Sequence, residues 1–282
     1  MSTPLAHSRH GTGTPLVLLH GIGSGRRCWA PVTGLLTARH EVLAVDLPGF
    51  GDSPALPPGT APTAGALAEA VGRFLDERGI DTAHVAGNSL GGWVGLELAL
   101  AGRVRTLSLI SPAGLWRETT PFTTRLLLRS FRLAAPWLAG PAAPLLRTAP
   151  TRAALLAGVH GRPGRVPYAH ARAAARDMAR ATGFEATWRA VSTTRFTGGR
   201  AIDVPVRVAF GSRDAVLRAG RARFLDELPR GTESRVLPGC GHVPMHDAPE
   251  AVARFILAGT AEQARRPVLT VPAPPSRRGD RC

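Results

Sequence analysis

The sequence predicts an α/β protein: a mostly parallel central sheet with helices on both faces and an all-helical unit inserted into it. Three observations carry that expectation. Short apolar runs alternate with amphipathic stretches over residues 15–114 and again over 204–257. The alternation stops between about residues 116 and 196, where Arg-, Leu- and Ala-rich stretches are broken by prolines such as Pro136, Pro141, Pro150 and Pro163. A glycine-flanked serine, Gly87-Asn88-Ser89-Leu90-Gly91, sits directly after one apolar run and before a helical one. Strands alternating with helices imply a parallel sheet covered on both faces.

Each element follows in turn. Residues 15–19 are continuously apolar, as a strand buried on both faces must be. A turn-rich loop covers 20–27, and a helix is expected over about 28–38. A second strand spans 41–45 and ends at Asp46; a Pro/Gly loop covers 47–58. Residues 63–78 carry Leu67, Ala70, Val71, Phe74 and Leu75 at helical spacing. A third strand over 84–87, a helix over 91–101 and a fourth strand over 104–110 complete the first half. After the strandless segment come a strand (204–210), a helix (217–228), a strand (234–237) and a helix (249–257). The chain before Leu16 has room for one short strand at most. The expected units are therefore a core of residues 1–114 and 201–258, a helical insertion of 115–200, and a Pro/Arg-rich tail of 259–282, expected to be disordered.

The chain has 282 residues, of which 44% are hydrophobic, enough for one large α/β domain with an insertion. Its formal net charge is +15, and every basic residue is Arg; there is no Lys. The charge is not spread evenly. Residues 115–200 hold 14 Arg against three acids, whereas residues 1–114 hold eight of each. That distribution argues against a nucleic-acid partner for the whole protein. Cys28, Cys240 and Cys282 are odd in number and lack metal-ligand spacing, so a disulfide scaffold is excluded and a reducing, cytoplasmic setting is expected. No secretory signal and no integral membrane segment are apparent. The oligomeric state is left open by the sequence.

The serine turn needs its context to do chemistry. On a sharp strand-to-helix turn the Ser89 hydroxyl is held out above the sheet, and glycines two residues away on each side remove side chains that would clash. The bland alternative is a Gly-rich helix start. A serine hydroxyl also needs a base. Of nine histidines, only His242 and His246 lie beyond the late strands. His242, in the flexible Gly239-Cys240-Gly241-His242 turn, is the preferred base, and His246 is read as solvent-facing or bracing the loop. A metal shared by this i,i+4 pair is disfavoured by Gly241 and Pro244. Asp214, at the end of the strand after the insertion, is the acid that orients the base. Asp203 lies at the wrong end of its strand and Asp226 within a helix; the alternative for Asp214 is a helix N-cap. The backbone N–H groups of Ile22 and Leu90 are candidates for the oxyanion donors, and His20 for a loop brace. Gly21, Trp116 and Val243 are candidate substrate contacts. No cofactor and no metal are called for.

Five stretches together resemble the α/β-hydrolase fold family: residues 16–23 (LVLLHGIG), 46–53 (DLPGFGDS), 84–92 (HVAGNSLGG), 210–216 (FGSRDAV) and 239–250 (GCGHVPMHDAPE). The resemblance implies a Ser89–Asp214–His242 triad. It also implies that residues 115–200 form the family's helical cap, and that the loop holding Asp46, Pro48, Gly49 and Gly51 is mainly structural. Family epoxide hydrolases and haloalkane dehalogenases carry a carboxylate nucleophile at this turn, where this chain has Ser89. The turn is also similar to that of carbon–carbon bond hydrolases, although Val243 stands where those often have an aromatic residue.

The expected function is hydrolysis of a carboxylic ester or related acyl bond in a largely apolar small molecule. The rivals are carbon–carbon hydrolysis, acyl transfer or cyclisation by the same triad, and a non-catalytic binding module. Arg125, Arg129 and Arg132 fall on one helix face, as do Arg172, Arg176 and Arg180. They face either an anionic substrate, an acidic carrier or a membrane surface, or else simply water; the last is the preferred reading.

Overall fold

Residues 4–263 are described by the computed structural model of the chain. The apolar runs become seven strands: β1 (His7–His10), β2 (Thr14–Leu19), β3 (His40–Val45), β4 (Ala83–Asn88), β5 (Val104–Ile110), β6 (Val206–Gly211) and β7 (Glu233–Leu237). Across the sheet the order is β1-β3-β2-β4-β5-β6-β7. β1, the one short strand there was room for, pairs antiparallel with β3, and the other neighbours are parallel.

From β2 the chain first goes outward to β3 and then returns to place β4 on the other side. The sheet therefore changes its direction of growth between β2 and β4. The loops leaving those two strands diverge and open a crevice at the carboxyl ends, where parallel sheets bind ligands.

Alternation within the apolar runs sorts side chains to two cores. Val17, Leu19, Leu43 and Val45 pack with α2 (Ala64–Asp76) and α3 (Leu90–Leu100) through Leu67, Val71, Phe74 and Val94. Leu16, Leu18, Val42 and Ala44 face the other side. They meet Trp29, Val32 and Leu36 around α1 (Ala30–Leu36), and Val252 and Ile256 of α8 (Pro249–Gln263). Two-sided burial explains why these strands read as unbroken apolar runs.

Between β5 and β6 the chain forms α4 (Phe122–Ala139), α5 (Ala149–Leu155), α6 (Tyr168–Arg180) and α7 (Phe184–Val191), with no strand. Its local core is small: Leu146, Val166 and Ala171. Guanidinium groups supply much of the remaining order. Arg125 donates to the Thr120 and Ser192 carbonyls, Arg132 to those of Met178 and Ala179, and Arg152 to those of Leu146, Arg147 and Gly164. Proline-broken helices leave orphan carbonyls at their C-terminal ends, and a guanidinium with five donors fits them. Arg125 and Arg132 thus neither line the cavity below nor form a merely solvated face; of that trio only Arg129 is exposed.

Two expectations are corrected. The helix expected over 217–228 is a series of turns. Asp214 Oδ1 accepts the Val216 and Leu217 N–H groups at 2.9 and 2.8 Å, as an N-cap would, but Gly220 takes φ 59° and the Phe224 N–H donates to the distant Leu115 carbonyl at 3.0 Å, so no helix is propagated. Residues 259–263, expected in the tail, belong to α8, which continues to Gln263; the rest of the expected tail, residues 264–282, lies outside those described. Among the described residues no helix is long and apolar enough to cross a membrane.

Candidate active site

Ser89 joins β4 to α3 with φ 55° and ψ −118°, a backbone region that non-glycine residues adopt only under constraint. The constraint is packing. A Cβ on Gly87 would meet the Gly91 carbonyl, and one on Gly91 would meet the Leu19 and His20 carbonyls. Only glycine admits so close an approach. The loop after β2 then lies against the serine: a Cβ on Gly21 would stand 3.0 Å from Ser89 Cβ and 3.5 Å from its Oγ. Leu90 is the first residue of α3, so its N–H has no acceptor within the helix. Ile22 follows Gly21 along the wall of the same cavity.

His20 braces this loop. Its Nε2 accepts the Leu47 N–H at 3.0 Å, which leaves Nδ1 to donate to the Gly21 carbonyl at 2.8 Å. Burial lowers its pKa, in keeping with this neutral tautomer. Asp46 holds the neighbouring loop by accepting from the backbone N–H groups of Arg26 and Asp52 and from the Arg26 guanidinium.

The structure pairs His242 with Asp214: Nδ1 stands 3.0 Å from Oδ2, and both side chains are buried. Both carboxylate oxygens are engaged, because Oδ1 serves the 216–217 turn. The N-cap-like role and the histidine contact, posed as alternatives by the sequence, are therefore filled by one side chain. Burial by itself would raise the Asp214 pKa. The His242 ring, its hydrogen bond and the Leu217 amide outweigh burial and hold the carboxyl below its ordinary value.

The loop carrying His242 is gripped from three sides. Asn88 Nδ2 donates to the His242 carbonyl at 2.9 Å and to the Ile110 carbonyl at 3.0 Å, tying the loop to the residue beside Ser89. The His242 N–H donates to the Val159 carbonyl at 2.7 Å. Asp247, itself buried, accepts the Gly161 and Gly241 N–H groups at 2.8 Å each and the Arg162 N–H at 2.9 Å. A Cβ on Gly161 would run into the Gly239 carbonyl, so insertion and histidine loop touch backbone to backbone. Asn88, Gly161 and Asp247 were not singled out from the sequence. Asp247 in Asp-Ala-Pro reads only as the start of a helix, and nothing local marks the other two as partners of a loop so distant in the chain.

Ser89 and His242 line one cavity of about 170 Å³. Its floor includes Gly21 and Ile22, and its roof includes Leu128, Phe131, Leu138 and Met178 from the insertion. Val243 and Gly21 line it as expected. Trp116 does not: it is buried edge-to-face against Trp93, with Nε1 donating to the Thr194 carbonyl at 2.7 Å. Its aromatic bulk serves the core rather than the substrate.

His246 also departs from expectation, because it lies on the cavity wall. Its ring centroid is 4.6 Å from that of His170 and 6.1 Å from that of His160. Burial, then the two neighbouring rings, lower its pKa to about 4, so the His246 ring is neutral near pH 7. Among the described residues no group of His, Cys, Asp and Glu has metal-binding geometry. At the cavity's edge Asp177 of α6 meets Arg27 at 3.3 Å, and burial lifts its carboxyl to about 6.

Comparison with known proteins agrees with this architecture. The sequence model described as the alpha/beta hydrolase family matches residues 16–255. The chain is 33% identical over 204 residues to the epoxide hydrolase EphH of Mycobacterium tuberculosis, covering 67% of this chain and 91% of that protein. It is 32% identical over 262 residues to the dihydrolipoyllysine-residue acetyltransferase component of an acetoin cleaving system from Pseudomonas putida, covering 87% of this chain and 63% of that one. Among solved structures, a membrane phospholipase A described as a bacterial virulence factor superposes with a TM-score of 0.69 at 27% identity, over 93% of this chain and 84% of that one.

Proposed function

The chain belongs to the alpha/beta hydrolase family, and from that premise we propose that it is a cofactor-independent serine hydrolase acting on a carboxylic ester or related acyl bond of a largely apolar small molecule. The observation that carries the reading is the buried Asp214–His242 pair, 3.0 Å apart, on the same cavity as a serine held at φ 55°.

Ser89 Oγ attacks the substrate carbonyl while His242 takes its proton. Asp214 keeps Nδ1 protonated, so Nε2 is the basic nitrogen, and stabilises the imidazolium that forms. The Ile22 and Leu90 amides receive the oxyanion, and the start of α3 adds its positive end. His242 then returns the proton to the departing alkoxide. Water, activated by the same histidine, clears the acyl-enzyme. Residues 115–200 act as the cap: they roof the cavity with apolar side chains and thereby favour an apolar acyl or alcohol group. The free thiols of Cys28 and Cys240 fit a cytoplasmic setting.

The epoxide hydrolase relative supports a hydrolase. Ser89, in place of the carboxylate that the resemblance assigns to epoxide hydrolases, favours acyl chemistry over epoxide opening. Fluorophosphonate labelling tests the reading. The parent should label and turn over p-nitrophenyl esters, and Ser89→Ala should do neither while keeping its Tm. Equal labelling of both chains, or epoxide turnover without labelling, would overturn it.

A further inference from the structure

The helix that roofs the cavity is apolar on two faces, and only one is accounted for. Leu128, Phe131, Ala135 and Leu138 of α4 line the cavity. On the other side Phe122, Leu126, Leu133 and Trp137 are 75, 57, 75 and 66% exposed. At 3.6 residues per turn these four fall within an arc of about 60° and run for about 22 Å along the helix. Arg129, also exposed, borders this arc, about 20° beyond its edge. No described residue covers this stripe.

We propose that the outer face of α4 docks on the surface of an anionic lipid bilayer, inserting Phe122, Leu126, Leu133 and Trp137 to the depth of the acyl-chain boundary. Three observations select this occupant. The first is charge complementarity: residues 115–200 hold 14 Arg against three acids, which attracts an anionic headgroup layer. The same excess disfavours a second copy of this chain, since a two-fold interface would set one arginine-rich insertion against another. The second is shape. The stripe is a single exposed helix bearing Phe, Leu and Trp with cationic neighbours, which is how an interfacial helix lies in a bilayer plane, and Trp prefers the headgroup level. The third is continuity, because one helix separates the stripe from the cavity. A docked chain would hold its apolar pocket beside the lipid phase from which apolar molecules partition.

Docking does not rest on Ser89 being the nucleophile, and the test reads binding rather than turnover. The full chain is sedimented with vesicles of phosphatidylcholine alone and of phosphatidylcholine with about 30% phosphatidylglycerol. Binding should appear with the anionic lipid and weaken in about 0.5 M NaCl. The triple variant Phe122→Ser, Leu133→Ser, Trp137→Ser should keep its Tm and lose binding by at least about tenfold. Trp137 is the exposed one of five tryptophans, the other four being buried, so brominated lipid should quench fluorescence in the parent and not in Trp137→Ser. The proposal is overturned if the parent ignores anionic vesicles, if the triple variant binds as well as the parent, or if the parent is a dimer that the triple variant turns into a monomer.

Discussion

The loops of the sheet and the helices of the insertion meet across one cavity, but they are held in place by different means. In the sheet half, backbone packs directly on backbone, with short side chains such as Asn88 and Asp247 collecting the main chain around it. Ser89, Gly87 and Gly91 are locked by carbonyl contacts, and the His242 turn is pinned by N–H groups converging on Asp247. In the insertion half, long side chains do the positioning, with Arg125, Arg132 and Arg152 reaching carbonyls many residues away. Backbone positioning leaves spaced glycines and a fixed residue order, which can be read along the chain. Side-chain positioning leaves only an excess of arginine, which can be read several ways.

The sharpest way to break this contrast is at the pair that the sheet half presents. Asp214→Asn keeps an oxygen for the Val216 and Leu217 amides but no longer enforces the His242 tautomer. It should cut kcat/KM on a soluble ester by about 10⁴-fold with little change in Tm; a loss under about tenfold would remove Asp214 from the mechanism.

Next in size is the seam between the halves. Gly161→Ala drives a methyl group into the Gly239 carbonyl and should displace the His242 turn, lowering kcat about 10²-fold. Circular dichroism should show the fold retained, and unchanged kcat would show that the seam yields without moving the histidine.

Within the insertion, Arg125→Met with Arg132→Met leaves carbonyls unpaired and should cost about 2–3 kcal/mol, read as a Tm lower by several degrees. The ratio of rates on anionic and neutral esters should stay at the parental value. A selective loss on the anionic one would return these arginines to substrate binding.

The smallest effect concerns Asp177. Burial raises its folded pKa to about 6 from an ordinary 3.8, so between those values the folded chain holds a proton that the unfolded chain has released. Its contribution to stability therefore falls as pH rises through that window. Asp177→Asn should raise Tm above that of the parent at pH 7.5 and match it near pH 3.5. An equal shift at both pH values would mean that the Arg27 contact, not the buried charge, dominates.

Much of the site was legible because its signals are local. Unbroken apolar runs, buried on both faces, mark β2 and β3, and the glycines around Ser89 announce a turn that admits no Cβ. The order Ser89, Asp214, His242 follows from the order of the strands. The misreadings have equally physical sources. Helical spacing over 217–228 is real, but Gly220 takes a left-handed φ and the Phe224 N–H turns to the distant Leu115 carbonyl. Trp116 has the size of a pocket residue, but Trp93 provides a buried partner. His246 looked peripheral because His160 and His170, which complete its cluster on the cavity wall, come from the insertion.

The sequence by itself therefore determined the strand–helix rhythm, the inserted helical segment, the strained serine turn and the candidates for its partners, because backbone stereochemistry and burial act over a few residues. The tertiary structure decided what holds His242 in place, which arginines serve as carbonyl partners, and which face of α4 is left bare. Each of those depends on whether a donor, a carbonyl or an apolar surface meets a neighbour supplied from far along the chain, and that is settled only when the elements pack.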